Sequence, residues 1–129
     1  MDDKRRLKRA RLIERVRTVE KGRAALASAE AEALSSRLSG VAEKTRMLAS
    51  HYAGSGAIAT GDDLRRLTAM RHQLYTLTTL NDGHLQDARR RADAALLELG
   101  SAERKRARIE SDRRSLESMA VARSLTTPT

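Results

Sequence analysis

One interruption constrains this chain more than any other feature. The only proline is Pro128, and the helix-compatible sequence breaks convincingly once, at Ala53-Gly54-Ser55-Gly56-Ala57-Ile58-Ala59-Thr60-Gly61. Three of the seven glycines fall there, and glycine releases the backbone into turn conformations that a helix forbids. The flanks, about fifty and about sixty residues long, are rich in Ala, Leu, Arg and Glu. The pattern predicts an all-α fold, an antiparallel two-helix coiled-coil hairpin with a short Gly-rich loop. The expected boundaries are a helix over about 3–52, a loop over about 53–61, a helix over about 62–121 and a frayed tail over 122–129. Helices of that length span roughly 75–90 Å at about 1.5 Å per residue, so the sequence describes a rod with two different ends.

Composition agrees. At 129 residues the chain is one domain at most, with no Phe or Trp and two tyrosines, Tyr52 and Tyr75. The 40% hydrophobic content includes 21 alanines, too little bulk for the interior of a compact globule but enough for a narrow seam. The absence of cysteine excludes disulfides and thiolate metal sites and fits a cytoplasmic home. No apolar run approaches the roughly 20 residues of a membrane span, and the start, Met1-Asp2-Asp3-Lys4-Arg5-Arg6-Leu7, lacks the apolar segment of a secretory signal.

Charge is unevenly placed. Residues 1–23 carry ten basic and four acidic groups, residues 24–88 six and seven, and residues 89–129 ten and six. A chain folded back near Gly56 sets residue i beside roughly residue 115 − i, which brings the two basic segments together at the open end and leaves the turn near neutral. Of 26 basic residues 21 are Arg; GC-rich coding explains their number but not their placement.

In the first helix Leu12, Val16, Val19, Arg23, Leu26, Glu30, Leu34, Leu38, Val41, Thr45, Leu48 and Tyr52 recur every three or four residues, a period of about 3.64. This stripe is the expected contact face, weakened at Arg23 and Glu30. Gly22 and Gly40 lie inside the helix, as bends or as close contacts. The second helix opens with Thr60 or Asp62 as cap and follows a strict heptad. One line is Leu67, Leu74, Asn81, Ala88, Ala95, Ala102, Ile109, Leu116; the other is Arg71, Thr78, Leu85, Ala92, Leu99, Arg106, Arg113, Ala120. The alanines permit close approach. Near the turn Leu48, Tyr52, Met70, Leu74, Tyr75, Leu77 and Leu80 exceed what one partner helix can cover, and an exposed patch of this kind marks either a binding surface or the best-packed part of the seam.

Catalytic chemistry is missing. His51, His72 and His84 are too scattered for a catalytic set, although His51 and His72 flank the turn at a spacing that could hold a metal. No Gly-rich phosphate loop precedes a helix, and Gly54-x-Gly56 lacks the rest of a nucleotide fingerprint. Glu30 and Glu32 have no apolar pocket around them of the kind general acid–base chemistry needs. The expectation is a non-enzymatic protein with no cofactor and no metal.

The layout resembles the FliJ family of flagellar export proteins and its YscO-type relatives in type III secretion. The resemblance rests on a basic first helix of about fifty residues, a short Gly-containing loop, and a longer second helix that begins Leu67-x-x-Met70-x-x-x-Leu74-x-x-Leu77 and runs through Ala- and Arg-rich turns to Ala102-Glu103-Arg104-Lys105. Where the family usually carries aromatic residues after the loop, Met70 and Leu74 stand here. The resemblance implies a cytoplasmic stalk, peripheral to the inner membrane, that joins a ring-shaped export ATPase to the membrane export gate and also contacts export chaperones. It would assign Arg5, Arg6, Arg9, Arg11, Arg104, Arg106 and Arg108 to the ATPase, and Leu48, Tyr52, Leu74, Leu77 and His84 to the gate.

Two other readings compete. A basic coiled coil can bind nucleic acid, since Arg suits phosphate, but no aromatic residues interleave with the arginines for stacking, and Glu14, Glu20, Glu103 and Glu110 interrupt the basic face. A structural coiled coil can self-associate as a four-helix dimer that buries the surplus apolar residues near the turn. A membrane-surface role lacks the Trp or Phe of an interfacial anchor in residues 1–23.

Overall fold

A computed structural model describes residues 2–54 and 60–126. It is an all-α helical hairpin of two helices, α1 (Asp2–Gly54) and α2 (Gly61–Thr126). Most of the expected loop, residues 55–59, lies outside the described residues. Asp2 and Asp3 in the first turn of α1, and Asp62 and Asp63 in that of α2, place negative charge where the helix dipole favours it. Of the two candidate caps Thr60 serves: its Oγ1 accepts from Asp63 N at 3.1 Å, and its carbonyl accepts from Leu64 N at 3.1 Å. At the end of α1, Arg71 of α2 donates to the carbonyls of Tyr52 (3.3 Å) and Ala53 (3.4 Å), satisfying acceptors that a helix end leaves open. α2 continues to Thr126, past the expected boundary near 121. Ala122, Arg123 and Leu125 are all helix-compatible, and Thr126 Oγ1 donates back to the Ala122 carbonyl at 3.0 Å.

Burial identifies the contact face of each helix. On α2 every residue of the two heptad lines is buried or half-buried except Arg71, which is exposed and occupied with the end of α1. On α1 the protected residues Asp3, Leu7, Ala10, Glu14, Arg17, Lys21, Ala24, Ser28, Ala31, Ser35, Leu38, Ala42, Thr45, Ala49 and Tyr52 are spaced strictly four and three, with Glu20 and Ser39 half-buried beside them. This corrects the sequence expectation. Of the stripe with a period near 3.64, only Leu38, Thr45 and Tyr52 belong to the seam. Leu12, Val16, Val19, Leu26, Leu34, Val41 and Leu48 are exposed. A left-handed seam repeats every 3.5 residues, so a stripe of about 3.64 drifts away from it by about half a turn over forty residues. It starts on the outer face at Leu12 and reaches the seam at Tyr52.

The seam is therefore asymmetric. α2 supplies bulk from Leu74, Leu85, Leu99, Ile109 and Leu116, while seven of the fifteen seam positions on α1 are Ala or Ser, and small residues let the backbones approach. Gly22 and Gly40 are not close-contact sites, since a Cβ at either would meet nothing within 4 Å.

The chain divides into two compact units: a terminal unit, Met1–Ser28 with Ala94–Thr129, and a loop-proximal unit, Ala29–Asp93. In the terminal unit Asp3 pairs with Arg123, Arg11 with Glu117, and Glu14 with Arg113. In the loop-proximal unit Thr45 meets Asn81 and Arg46 meets Asp82. In each unit residue i thus lies beside about residue 126 − i, about three helical turns from the expected 115 − i. The offset arises because Arg71, not a residue at the start of α2, meets the end of α1. Residues 61–70 have no counterpart in α1.

Candidate functional site

The terminal unit mixes charge into an apolar seam. Its seam positions include Glu14, Arg17 and Lys21 on α1 and Arg106 and Arg113 on α2. Arg113 donates to Glu14 and, at 3.0 Å, to Glu117, which also accepts from Arg11 at 3.1 Å. Glu14 is the most enclosed of these groups, with 18% of its side chain exposed. Hydrogen bonds from Arg11 and then Arg113 hold the Glu117 carboxyl below its ordinary range, and bonds to Glu117 and Glu14 raise Arg113 above its own. Arg106 donates to Thr18 Oγ1 at 3.1 Å and to Glu110 at 3.2 Å.

These pairings divide the seven candidate arginines. Arg11 and Arg106 are engaged within the unit. Arg5, Arg6, Arg9, Arg104 and Arg108 are exposed and make no hydrogen bond or ion pair with any described residue. The unit as a whole carries seventeen basic and nine acidic side chains, whereas the loop-proximal unit carries nine and eight. The Glu14–Arg113–Glu117–Arg11 network was not anticipated from sequence. Its signal was present, since Glu14 and Arg113 both fall on strict heptad positions, but only the correct register makes them neighbours.

The loop-proximal unit is held by small and apolar side chains. Ser35, Ala42 and Thr45 of α1 and Leu85, Ala88 and Ala92 of α2 are buried. Asn81 Nδ2 donates to Thr45 Oγ1 at 2.9 Å, and that hydroxyl donates to the Val41 carbonyl at 2.9 Å. Of the five candidate residues here, Tyr52 and Leu74 are half-buried in the seam, while Leu48 and Leu77 are exposed at 50% and 45%. Leu34, Val41 and Leu48 each precede a seam position by one residue, as do Met70, Leu77 and His84 on α2. In an antiparallel pair these positions line the same flank. His84 lies along a shallow groove with Leu34, Leu38, Asp87 and Arg91, so this part of the flank sets one acid and one arginine beside apolar side chains. Tyr75, more exposed still, lines a second groove with Ala49, Ala53 and His72.

Among the described residues no group of His, Asp or Glu side chains gathers as a metal site. His51 stands edge-on to Tyr52 with ring centroids 5.4 Å apart, and no described helix is long and apolar enough to cross a membrane. No protein-family model matches the chain, and neither a curated protein nor a solved structure is detectably similar to it.

Proposed function

We propose that this chain is a non-enzymatic helical-hairpin adaptor that engages one protein through its basic terminal unit and another through the apolar flank of its loop-proximal unit. The observation that carries the reading is the set of five exposed arginines, Arg5, Arg6, Arg9, Arg104 and Arg108, with no acidic partner in a unit that pairs its other candidates, Arg11 and Arg106. Unpaired guanidinium groups keep their full capacity for bidentate recognition of carboxylates. The exposed Leu48 and Leu77 form the second contact, where near-neutral charge suits apolar docking. The resemblance to the FliJ and YscO-type stalks gives this adaptor its specific form: a coupling element between an export ATPase ring and the export gate of a flagellar or type III apparatus, peripheral to the membrane through its partners and with export chaperones as further partners.

Binding of the purified chain to the export ATPase and to the cytoplasmic domain of the export-gate protein from the same genome tests it. Arg5→Glu/Arg6→Glu/Arg9→Glu weakens ATPase binding and leaves gate binding intact, and Leu48→Ser/Leu77→Ser does the opposite. Equal loss of both contacts in either variant, or no binding by the unaltered chain, overturns the reading.

One observation favours self-association as the second reading. Leu77, Leu80 and Tyr75 of the loop-proximal unit are 45%, 55% and 72% exposed, apolar surface that a four-helix dimer would cover. Sedimentation over a concentration series separates the two: a dimer that dissociates on Leu48→Ser/Leu77→Ser assigns the flank to a second copy.

A further inference from the structure

On α1 of the terminal unit, Leu12, Val16, Val19 and Leu26 are between 52% and 61% exposed. They are not isolated. Steps of four, three and seven residues put them on one face, the face directed away from the seam, over about 21 Å of helix. A monomeric helix rarely leaves such a stripe open without a use for it. The seam itself takes Leu7, Ala10, Ala24 and Ser28, so the larger apolar residues have been spent on the outside while small ones serve the hairpin.

The surroundings of the ridge say what covers it. Arg5, Arg6, Lys8, Arg9, Arg15 and Arg23 are exposed along the same outer surface and make no ion pair among the described residues. The one acid there, Glu20, is already bound to Arg17 at 2.9 Å. A shallow groove beside the ridge is lined by Arg15, Val16, Val19, Glu20 and Arg23. Next to it Gly22 leaves open space where a Cβ would meet nothing within 4 Å. An apolar ridge with an unpaired basic rim and a glycine notch fits an amphipathic helix whose apolar face is flanked by Glu or Asp. A second copy of this chain would oppose one basic rim to another, which costs free energy. An anionic bilayer is the less suited occupant, because the ridge has no Trp or Phe.

We propose that the outer face of α1 over residues 5–26 is a docking site for an acidic amphipathic helix of a partner protein, seated as a third helix on the terminal unit. The proposal deepens the adaptor reading by naming the chemistry of the partner at the basic unit.

The test uses the full chain and a fluorescein-labelled synthetic peptide of about 21 residues, helical, with leucines on one face and glutamates flanking them. A scrambled peptide of the same composition is the control, in buffer of physiological ionic strength. The expected result is saturable binding by the patterned peptide, at least tenfold weaker for the scrambled one. Val16→Ser/Val19→Ser/Leu26→Ser and, separately, Arg9→Glu/Arg15→Glu/Arg23→Glu each lower affinity at least tenfold while circular dichroism stays unchanged, since all six side chains are exposed. Equal binding of both peptides, or unaltered binding by either variant, overturns the proposal. Binding to phosphatidylserine vesicles in place of the peptide assigns the face to a membrane surface, and a dimer abolished by the serine variant assigns it to a second copy; either result overturns it too. Peptide binding without ATPase binding sinks only the export reading, and ATPase binding without peptide binding sinks only this one.

Discussion

The two units solve the same problem, how to hold two helices together, with different shares of apolar and charged contact. In the loop-proximal unit Ala42 of α1 and Leu85, Ala88 and Ala92 of α2 are buried, with one polar pair, Asn81 and Thr45, in the seam. In the terminal unit half-buried Leu7, Ala24, Leu99, Ile109 and Leu116 share the seam with Glu14, Arg17, Lys21, Arg106 and Arg113, and Ala10 is its one buried residue among those described. Dry contacts favour pairing whatever the ionic strength, whereas exposed ion pairs contribute little and weaken with salt. The comparison teaches that the loop-proximal unit supplies most of the hairpin's stability. The terminal unit keeps its surface charge available for a partner.

The sharpest break in that comparison comes from leucine truncation. Leu85→Ala, in the dry seam, costs about 2–3 kcal/mol, whereas Leu26→Ala, equally large but on the outer face of α1, costs less than about 0.5 kcal/mol. Thermal unfolding followed at 222 nm compares them, and equal costs would place the two leucines in equivalent environments.

Acid acts next, and on the terminal unit. Glu117 has its folded pKa depressed by Arg11 and Arg113, so its contribution is complete above its unfolded value, near the ordinary 4.5, and is lost as pH falls through the lower folded value. Helix content therefore drops as pH descends below about 4.5, and Glu117→Gln flattens that transition because the group no longer titrates. An acid transition of the same size in the variant would show that other carboxylates carry it.

Smaller effects follow. Thr45→Val leaves Asn81 Nδ2 without its acceptor at nearly constant volume and costs about 1 kcal/mol by urea unfolding; no change would mean that water replaces the hydroxyl. Gly22→Ala, at an exposed helical position where a Cβ meets nothing, raises stability by about 0.5–1 kcal/mol. If the partner helix of the terminal unit uses the notch, the same substitution weakens its binding.

How legible each helix was depends on which residues carry the seam. α2 was legible because the heptad through Leu74, Leu85, Leu99, Ile109 and Leu116 reads directly and is the line the seam uses, although Leu64, Leu77, Leu80, Leu96, Leu97 and Leu125 are exposed. α1 was not legible in the same way, because its seam takes small residues and most of its larger apolar ones face outward. The correct line, Ala10, Ala24, Ala31, Ser35, Ala42 and Ala49, was visible as a heptad of small residues. The mismatch between about 3.64 and 3.5 was itself the clue, since two helices sharing a left-handed seam must share its period. The offset from 115 − i to about 126 − i was not legible, because register depends on where α2 meets the end of α1, and the bonds from Arg71 to Tyr52 and Ala53 that mark it cross between helices. Of the candidate arginines, the sequence located the basic unit but could not separate Arg11 and Arg106, bound within it, from Arg5, Arg6, Arg9, Arg104 and Arg108. For Arg11 that distinction waits on register, since Glu117 lies across the hairpin, whereas the acidic partner of Arg106, Glu110, is four residues along the same helix.

Native-state amide hydrogen exchange, measured at low and at high salt, tests the central claim most directly. The account predicts that amides in residues 29–54 and 60–93 are the most protected and change little with salt, while those in residues 2–28 and 94–126 exchange faster and lose further protection as salt rises. Protection that is uniform along both helices, or strongest and salt-insensitive in the terminal unit, would contradict it.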